Sequence, residues 1–293
     1  MVRSAAITIL GVTLLVFLVL RVIPGDPVDL MLGESAAPAS RAALRSKLEL
    51  DLPLSRQLVH YARRLAHGDL GMSLTRGKPV TQLIGQTIPC TLLLAFSASA
   101  FANLLGIPAG VLAAYRPRRR VAKSIFAVSI LASALPVFWL GPLLVIAFSL
   151  HWPWLPISAF GSWGGLILPT IAIGVGLAAH ISQTTRAAVI EVLHSDFIRT
   201  ARAKGNSEAR VLFRHALPVA SRPLLTVSAL QFGHLLAGAV IAETVFDWPG
   251  LGKLAYDALM QRDYPTIQGT VLVVTLIYVG LNILTDLLLE RPR

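Results

Sequence analysis

Five stretches of the chain are free of Asp, Glu, Lys and Arg: residues 4–20, 79–115, 124–185, 223–242 and 264–285. A helix that crosses a bilayer needs about 20 mostly apolar residues, so the first, fourth and fifth stretches each hold one. The second holds one over 88–114, behind a polar start. The third is 62 residues long and divides at His151-Trp152-Pro153-Trp154-Leu155-Pro156 and Gly161-Ser162-Trp163-Gly164-Gly165. Prolines and glycines end helices there, and tryptophan favours the membrane interface. The pattern predicts an all-α integral membrane protein with six transmembrane helices, near 4–23, 88–114, 124–150, 165–185, 220–243 and 266–288.

Loop charge sets the orientation. Loop 115–123 carries five basic residues (Arg116, Arg118, Arg119, Arg120, Lys123) and loop 186–222 carries seven, whereas 151–164 has none and 244–265 has two. The positive-inside rule therefore predicts cytoplasmic N- and C-termini. Segment 24–87 has eight basic residues among six acids, and its length gives it little weight in that rule. Composition adds that 14% of the 293 residues are charged, against roughly 25% in soluble domains. With 55% hydrophobic residues and a mean hydropathy of +0.68, the chain cannot clothe a soluble surface. The net charge of +11 resembles a nucleic-acid footprint, but its arginines lie in loops beside apolar spans, so no nucleic-acid partner is expected. Cys90 is the only cysteine, which excludes an internal disulfide.

The organisation expected is a first transmembrane helix over 1–23, an extracytoplasmic segment over 24–87 and a core domain over 88–293. Arg21-Val22-Ile23-Pro24 offers no small-x-small cleavage site, which favours a retained anchor. Within 24–87, Leu54, Leu58, Ala62 and Leu65 share one helical face, Arg56, Arg63 and Arg64 lie off it, and Pro53 suits a first turn. This predicts a short amphipathic helix lying on the outer membrane face, on a partner or on its own protein.

Catalytic patterns are missing. The seven histidines (His60, His67, His151, His180, His194, His215, His234) form no i, i+4 pair, and there is no His-Glu-x-x-His. Gly161-Ser162-Trp163-Gly164 lacks the order of an intramembrane serine protease, and Gly250-Leu251-Gly252 is followed by Lys253 rather than the Asp of an aspartyl one. No phosphate-cradling Gly-x-x-x-x-Gly-Lys-Ser/Thr occurs, so any ATP hydrolysis belongs to another chain. Glu243 and Asp286 near helix ends, with His180 and His234 deeper, make a weak proton relay. Asn103, Gln231 and Asn282 suit interhelical hydrogen bonds.

The segment from Asp196 to Pro218 carries the clearest signal. Ser195 or Asp196 can cap a helix running to Lys204, Gly205 can close it in the left-handed region, and Ser207 can cap a second helix limited by Pro218. Phe197, Ile198 and Ala201 make an apolar patch ringed by Arg199, Arg202, Lys204, Arg210 and Arg214. Such a knob can fill a groove on a soluble protein, or be drawn to anionic lipid.

Arg199-Thr200-Ala201-Arg202-Ala203-Lys204-Gly205, followed by His215-Ala216-Leu217-Pro218, resembles the EAA loop of ABC importer permeases. Arg199 and Thr200 replace the usual leading Glu-Ala, a departure familiar in the dipeptide/oligopeptide/nickel branch. Three further segments resemble that branch: Arg21-Val22-Ile23-Pro24-Gly25-Asp26-Pro27, Gly68-Asp69-Leu70-Gly71-Met72-Ser73-Leu74, and the run from Glu243-Thr244-Val245-Phe246-Asp247-Trp248-Pro249-Gly250-Leu251-Gly252 to Arg262-Asp263-Tyr264-Pro265. The resemblance implies the type I ABC importer permease fold in the cytoplasmic (inner) membrane, no catalysis, and no metal or cofactor in this chain. It implies a second homologous permease, two ATP-binding subunits and an extracytoplasmic solute-binding protein as partners. The coupling loop, within 186–218, would present Asp196, Phe197, Ile198, Arg199, Thr200, Ala201, Arg202, Ala203, Lys204 and Gly205 to an ATPase. Glu243, Asp247, Trp248, Pro249 and Gly250 would form an outer segment or gate, and a plain structural turn explains them equally. Dipeptides, oligopeptides, nickel or a metal chelate would be the solute. The rival readings are an ion-coupled secondary transporter and an intramembrane hydrolase.

Overall fold

The long apolar runs become long helices, and the described residues are helical almost throughout. The structure, a computed structural model, describes residues 2–22, 28, 37–47, 50–157 and 161–289. In chain order the helices are α1 (Val2–Val22), α2 (Pro38–Lys47), α3 (Leu54–Ala66), α4 (Val80–Tyr115), α5 (Arg120–Ser133), α6 (Val137–Val145), α7 (Trp163–Leu193), α8 (Asp196–Ala203), α9 (Glu208–Arg210), α10 (Leu217–Gly238), α11 (Val240–Val245), α12 (Leu251–Met260) and α13 (Tyr264–Leu289). Wide π-helical turns follow α6 at Ile146–His151 and join α9 to α10 at Val211–Ala216. Among the described residues the only strand-like pairing is a bridge between Met72 and Pro79.

Among the described residues four helices are long and apolar enough to cross a membrane, Arg3–Val22, Val80–Tyr115, Trp163–Leu193 and Tyr264–Thr285, or five if a bent pair counts as one span. The single helix expected over 124–150 is instead two, Arg120–Ser133 and Val137–His151, bent by 98°. Pro136 stands at the break as the N-cap of α6. Proline lacks the N–H that would bond back, and its ring drives the preceding residue, Leu135, out of the helical region. The helix expected over 220–243 is likewise interrupted, at Ala239, between α10 and α11.

The chain divides into two compact units, 1–91 with 249–280 and 92–248 with 281–293. In the first unit, Val80, Leu83 and Ile84 of α4 pack on Leu251 and Leu254 of α12. The start of α4 is therefore an amphipathic helical extension, with Thr81, Gln82 and Gln86 exposed opposite these buried apolar residues, and the helix begins before residue 88. Leu20 of α1 packs with Ala258 and Ile267. The amphipathic α3 buries Gln57 and Tyr61, with Leu58 and Leu65 half-buried, while Leu54 and Ala62 are exposed. The buried face is thus displaced from the apolar stripe. The cause is Arg21: its Nε donates to Gln57 Oε1 (2.9 Å), its guanidinium lies 3.5 Å from the centre of the Phe17 ring, and Phe17 stacks on Tyr61 at 5.6 Å. Burial pushes the Tyr61 phenol up to about 12, against the opposing pull of Arg21 and Arg64. Pro53 is the N-cap of α3 rather than a residue of its first turn.

In the second unit, α4 and α7 approach backbone to backbone. A Cβ on Gly106 would lie 2.6 Å from the Ala178 carbonyl oxygen, and one on Gly110 2.5 Å from that of Ser182. Ala98, Ala102 and Ala114 are buried at the same spacing of four along α4. Without a hydrophobic gradient between helices in lipid, close contact of small residues is what holds them. The pair Ser97 with Thr170 (2.8 Å) adds to it, and Ser228 Oγ of α10 donates to Asn103 Oδ1 of α4 (2.7 Å).

Candidate functional site

The knob at 196–216 is built by local signals. Ser195 is the N-cap of α8, although its hydroxyl donates back to the Val192 carbonyl (2.6 Å) instead of capping. Gly205 ends the turn at φ 79°, with open space around the position a Cβ would take. Asn206 Nδ2 donates to the Ala201 carbonyl (2.9 Å), and Ser207 Oγ accepts from the Arg210 N–H (3.4 Å) as the expected cap. Pro218 does not limit the second helix. It falls in the first turn of α10, where a missing N–H costs least, and the helical path continues from Glu208 through the π-helical turn.

The predicted residues part into two groups. Ile198 and Ala201 are buried against Val211 and Ala216, with Val192 and Leu193 alongside. They fasten the knob to its own body. Asp196, Phe197, Arg199, Thr200, Arg202, Ala203, Lys204 and Gly205 are exposed, Phe197 at 46%. Arg202 is committed within the knob, with Nε and Nη2 donating to Glu208 at 2.8 and 3.2 Å. Phe213, exposed at 64%, is an outward apolar side chain that periodicity did not single out. The free face thus joins an aromatic ring to cations and can meet an apolar groove with an acidic rim.

The Glu243–Gly250 segment is more enclosed. Glu243 and Trp248 are buried, Asp247 is exposed at φ 50°, and the Trp248 N–H donates to the Glu243 carbonyl (2.7 Å). Gly250 caps α12 in extended conformation after the half-buried Pro249, and the Leu251 N–H reaches Thr91 Oγ1 (2.8 Å). The first unit also joins two sequence motifs about which spacing says nothing. The carboxylate of Asp263, 1% exposed, accepts from Ser73 Oγ (2.5 Å), the Leu74 N–H (3.1 Å), Thr75 Oγ1 (3.1 Å) and the Thr266 N–H (3.4 Å). Gly68 and Gly71 turn at φ 74° and 85°, and Asp69 Oδ1 accepts from the Gly71 N–H (2.8 Å). The Gly68–Leu74 and Arg262–Pro265 motifs are therefore halves of one clasp.

Among the remaining expectations, Asn103 is interhelical glue, and Gln231 instead lines a cavity with no hydrogen-bond partner among the described residues. His180 is exposed. The side chains of His234 and Asp286, residues 23–27 of the Arg21–Pro27 motif, and Arg293 lie outside the described residues. No cluster of three His, Cys, Asp or Glu side chains that could hold a metal occurs among the described residues.

Residues 106–291 match the family described as "Binding-protein-dependent transport system inner membrane component", and residues 1–95 match its N-terminal companion. The chain is 41% identical to the di/tripeptide transport system permease protein DppB of Pseudomonas aeruginosa, over 98% of this chain and 94% of that protein. It is 39% identical to the dipeptide transport system permease protein DppB of Escherichia coli, with the same coverage. Identity to the glutathione transport system permease protein GsiC of Escherichia coli is 38%, over 96% and 92%. Among solved structures, an inward-facing MetNI methionine ABC transporter matches with TM-score 0.59 and 20% identity, over 72% of this chain and 96% of that one. A crystal structure of an amino acid ABC transporter with histidines matches with TM-score 0.59 and 18% identity, over 72% and 95%.

Proposed function

This chain belongs to the family of binding-protein-dependent transport system inner membrane components, and from that premise we propose that it imports di- and oligopeptides. It is an inner-membrane ABC importer permease and not an enzyme; ATP-binding and solute-binding proteins are its partners in a transporter complex. The observation that carries the peptide assignment is similarity across nearly the whole chain to relatives named for dipeptide, di/tripeptide and glutathione transport. No cofactor is assigned to this subunit.

The finer reading is a permease with six spans and cytoplasmic termini, paired with a second homologous permease over two ATP-binding subunits. Its first span is 1–23, its extracytoplasmic segment 24–87 and its core 88–293. The loop within 186–218 is the coupling loop, in which Phe197, Arg199 and Lys204 meet the ATPase. Ile198 and Ala201 act from behind, because α8 follows α7 directly and packs on the turn that leads into α10. A displacement of the knob is thereby passed to both long helices, which rock as rigid bodies. Glu243, Asp247, Trp248, Pro249 and Gly250 act as the outer segment that opens.

The test is uptake of tritiated dialanine into proteoliposomes holding the whole importer, with nickel uptake measured in parallel. Uptake is expected for the peptide and to require ATP and the binding protein. Nickel uptake without peptide uptake, or uptake by the permease alone under an ion gradient, overturns the assignment.

A further inference from the structure

Within the second unit a cavity of about 240 Å³ opens beside two interruptions of otherwise apolar helices. Its wall includes Val137, the first residue after the 98° bend, and Ala239, Ile241 and Ala242 at the break between α10 and α11. Gly176 on α7 leaves room opposite, with nothing within 4 Å of the position a Cβ would occupy. The remaining lining is apolar except for Gln231.

Two observations bear on what enters. Gln231 is partly buried in a long apolar helix and its carboxamide has no partner among the described residues. The carboxamide is reachable from the cavity, so an occupant that carries a polar group can bond to it. Acyl chains offer no such group. A peptide bond offers both, since a carboxamide donates and accepts as a backbone amide does. The second observation is place: secondary transporters hold their solutes where membrane helices are interrupted, and here too the interrupted helices leave a lined space instead of a packed seam.

We propose that this cavity receives one residue of the peptide in transit, with the Gln231 carboxamide hydrogen-bonding its backbone amide and the apolar wall taking an uncharged side chain. The inference rests on the peptide-import reading above. The volume suits this use, being below the roughly 300–1,000 Å³ of sites that enclose a whole drug-sized ligand. The cavity reads a solute piecewise and leaves selection of the whole molecule to the binding protein.

The experiment uses the complete importer in proteoliposomes, with Cys90→Ser and Ile241→Cys in this chain. Residue 241 is 50% exposed and open to a maleimide. Saturating dialanine, delivered with binding protein and ATP, is expected to slow labelling about fivefold or more. Adding Gln231→Leu is expected to abolish that protection and to lower dialanine uptake about five- to tenfold, the factor for one lost hydrogen bond. If Ile241→Cys fails to assemble, Val137→Cys reports from the opposite wall. A complex that imports dialanine with no protection at either position overturns the inference and assigns the cavity to lipid or to a second copy of the chain, and protection that survives Gln231→Leu overturns the role given to the carboxamide. A wild-type complex that imports neither dialanine nor glutathione overturns the peptide reading itself.

Discussion

The knob at 196–216 and the clasp around Asp263 are both polar constructions on an apolar protein, and they are built in opposite ways. Among the described residues, the side-chain hydrogen bonds within the knob join residues no more than six apart, and Phe197, Arg199 and Lys204 face outward. The clasp closes loops of 188 to 190 residues through one buried carboxylate, and turns its polar atoms inward. A local construction keeps its shape while its surface is free to meet another protein. A long-range one spends its chemistry on holding the chain together. Variants in the two places should therefore fail in different assays.

The largest effect is expected for Asp263→Ala. It strands two buried donors, the Ser73 hydroxyl and the Thr266 N–H, each worth about 1–3 kcal/mol, and removes two part-buried bonds, so apparent stability should fall by about 3 kcal/mol or more. Thermal unfolding of the detergent-solubilised complex and membrane abundance report it, and Asp263→Asn should retain part of the loss. Next comes Phe197→Ala. An aromatic anchor at a packed interface is worth about 2 kcal/mol or more, so ATPase retention in pull-downs should drop at least about tenfold while the permease melts as before. Equal loss in melting would erase the contrast between the two regions.

The difference in construction also explains what could be read from the sequence. Gly205, Ser207 and the cationic ring of the knob lie within one short window, and the structure places the helix–glycine–helix where they predict it. Asp263 gives no local sign that its partners lie near residue 74. The burial of Gln57 is not legible from hydropathy, because the partner that makes its side of the helix the buried one is Arg21, 36 residues earlier. The bend at Pro136 was legible as a proline inside an apolar run, but the flanking runs are apolar enough to pass for one span. Gly106-Ile107-Pro108-Ala109-Gly110 carries the small-x-x-x-small signature of close helix packing, which hydropathy alone passes over. Which residues of the knob face its own body and which face outward needed the fold, because Phe197 and Ile198 are equally apolar and adjacent.

Two smaller effects sharpen the comparison. Gly205→Val forces a β-branched residue into the left-handed region at about 1–2 kcal/mol, with no collision to add. It should tilt α8 and weaken solute-stimulated ATP hydrolysis, and Gly205→Asn, which tolerates that conformation, should restore most of it. Arg202→Gln removes a half-exposed ion pair with Glu208, worth less than about 1 kcal/mol. Its melting temperature should barely move, and if ATPase retention falls as far as for Phe197→Ala, Arg202 is a contact residue rather than an internal brace.

The contact of Gly106 and Gly110 with the Ala178 and Ser182 carbonyls has a mechanical consequence. Two helices whose main chains touch cannot slide or roll without driving atoms into each other, so α4 and α7 form a single strut here. A transporter needs degrees of freedom, and this unit keeps them at the joints the strut does not span, residues 134–136 and Ala239. Stiffness in one pair of helices thereby assigns the bending to two short stretches, one of which lines the cavity that holds Gln231.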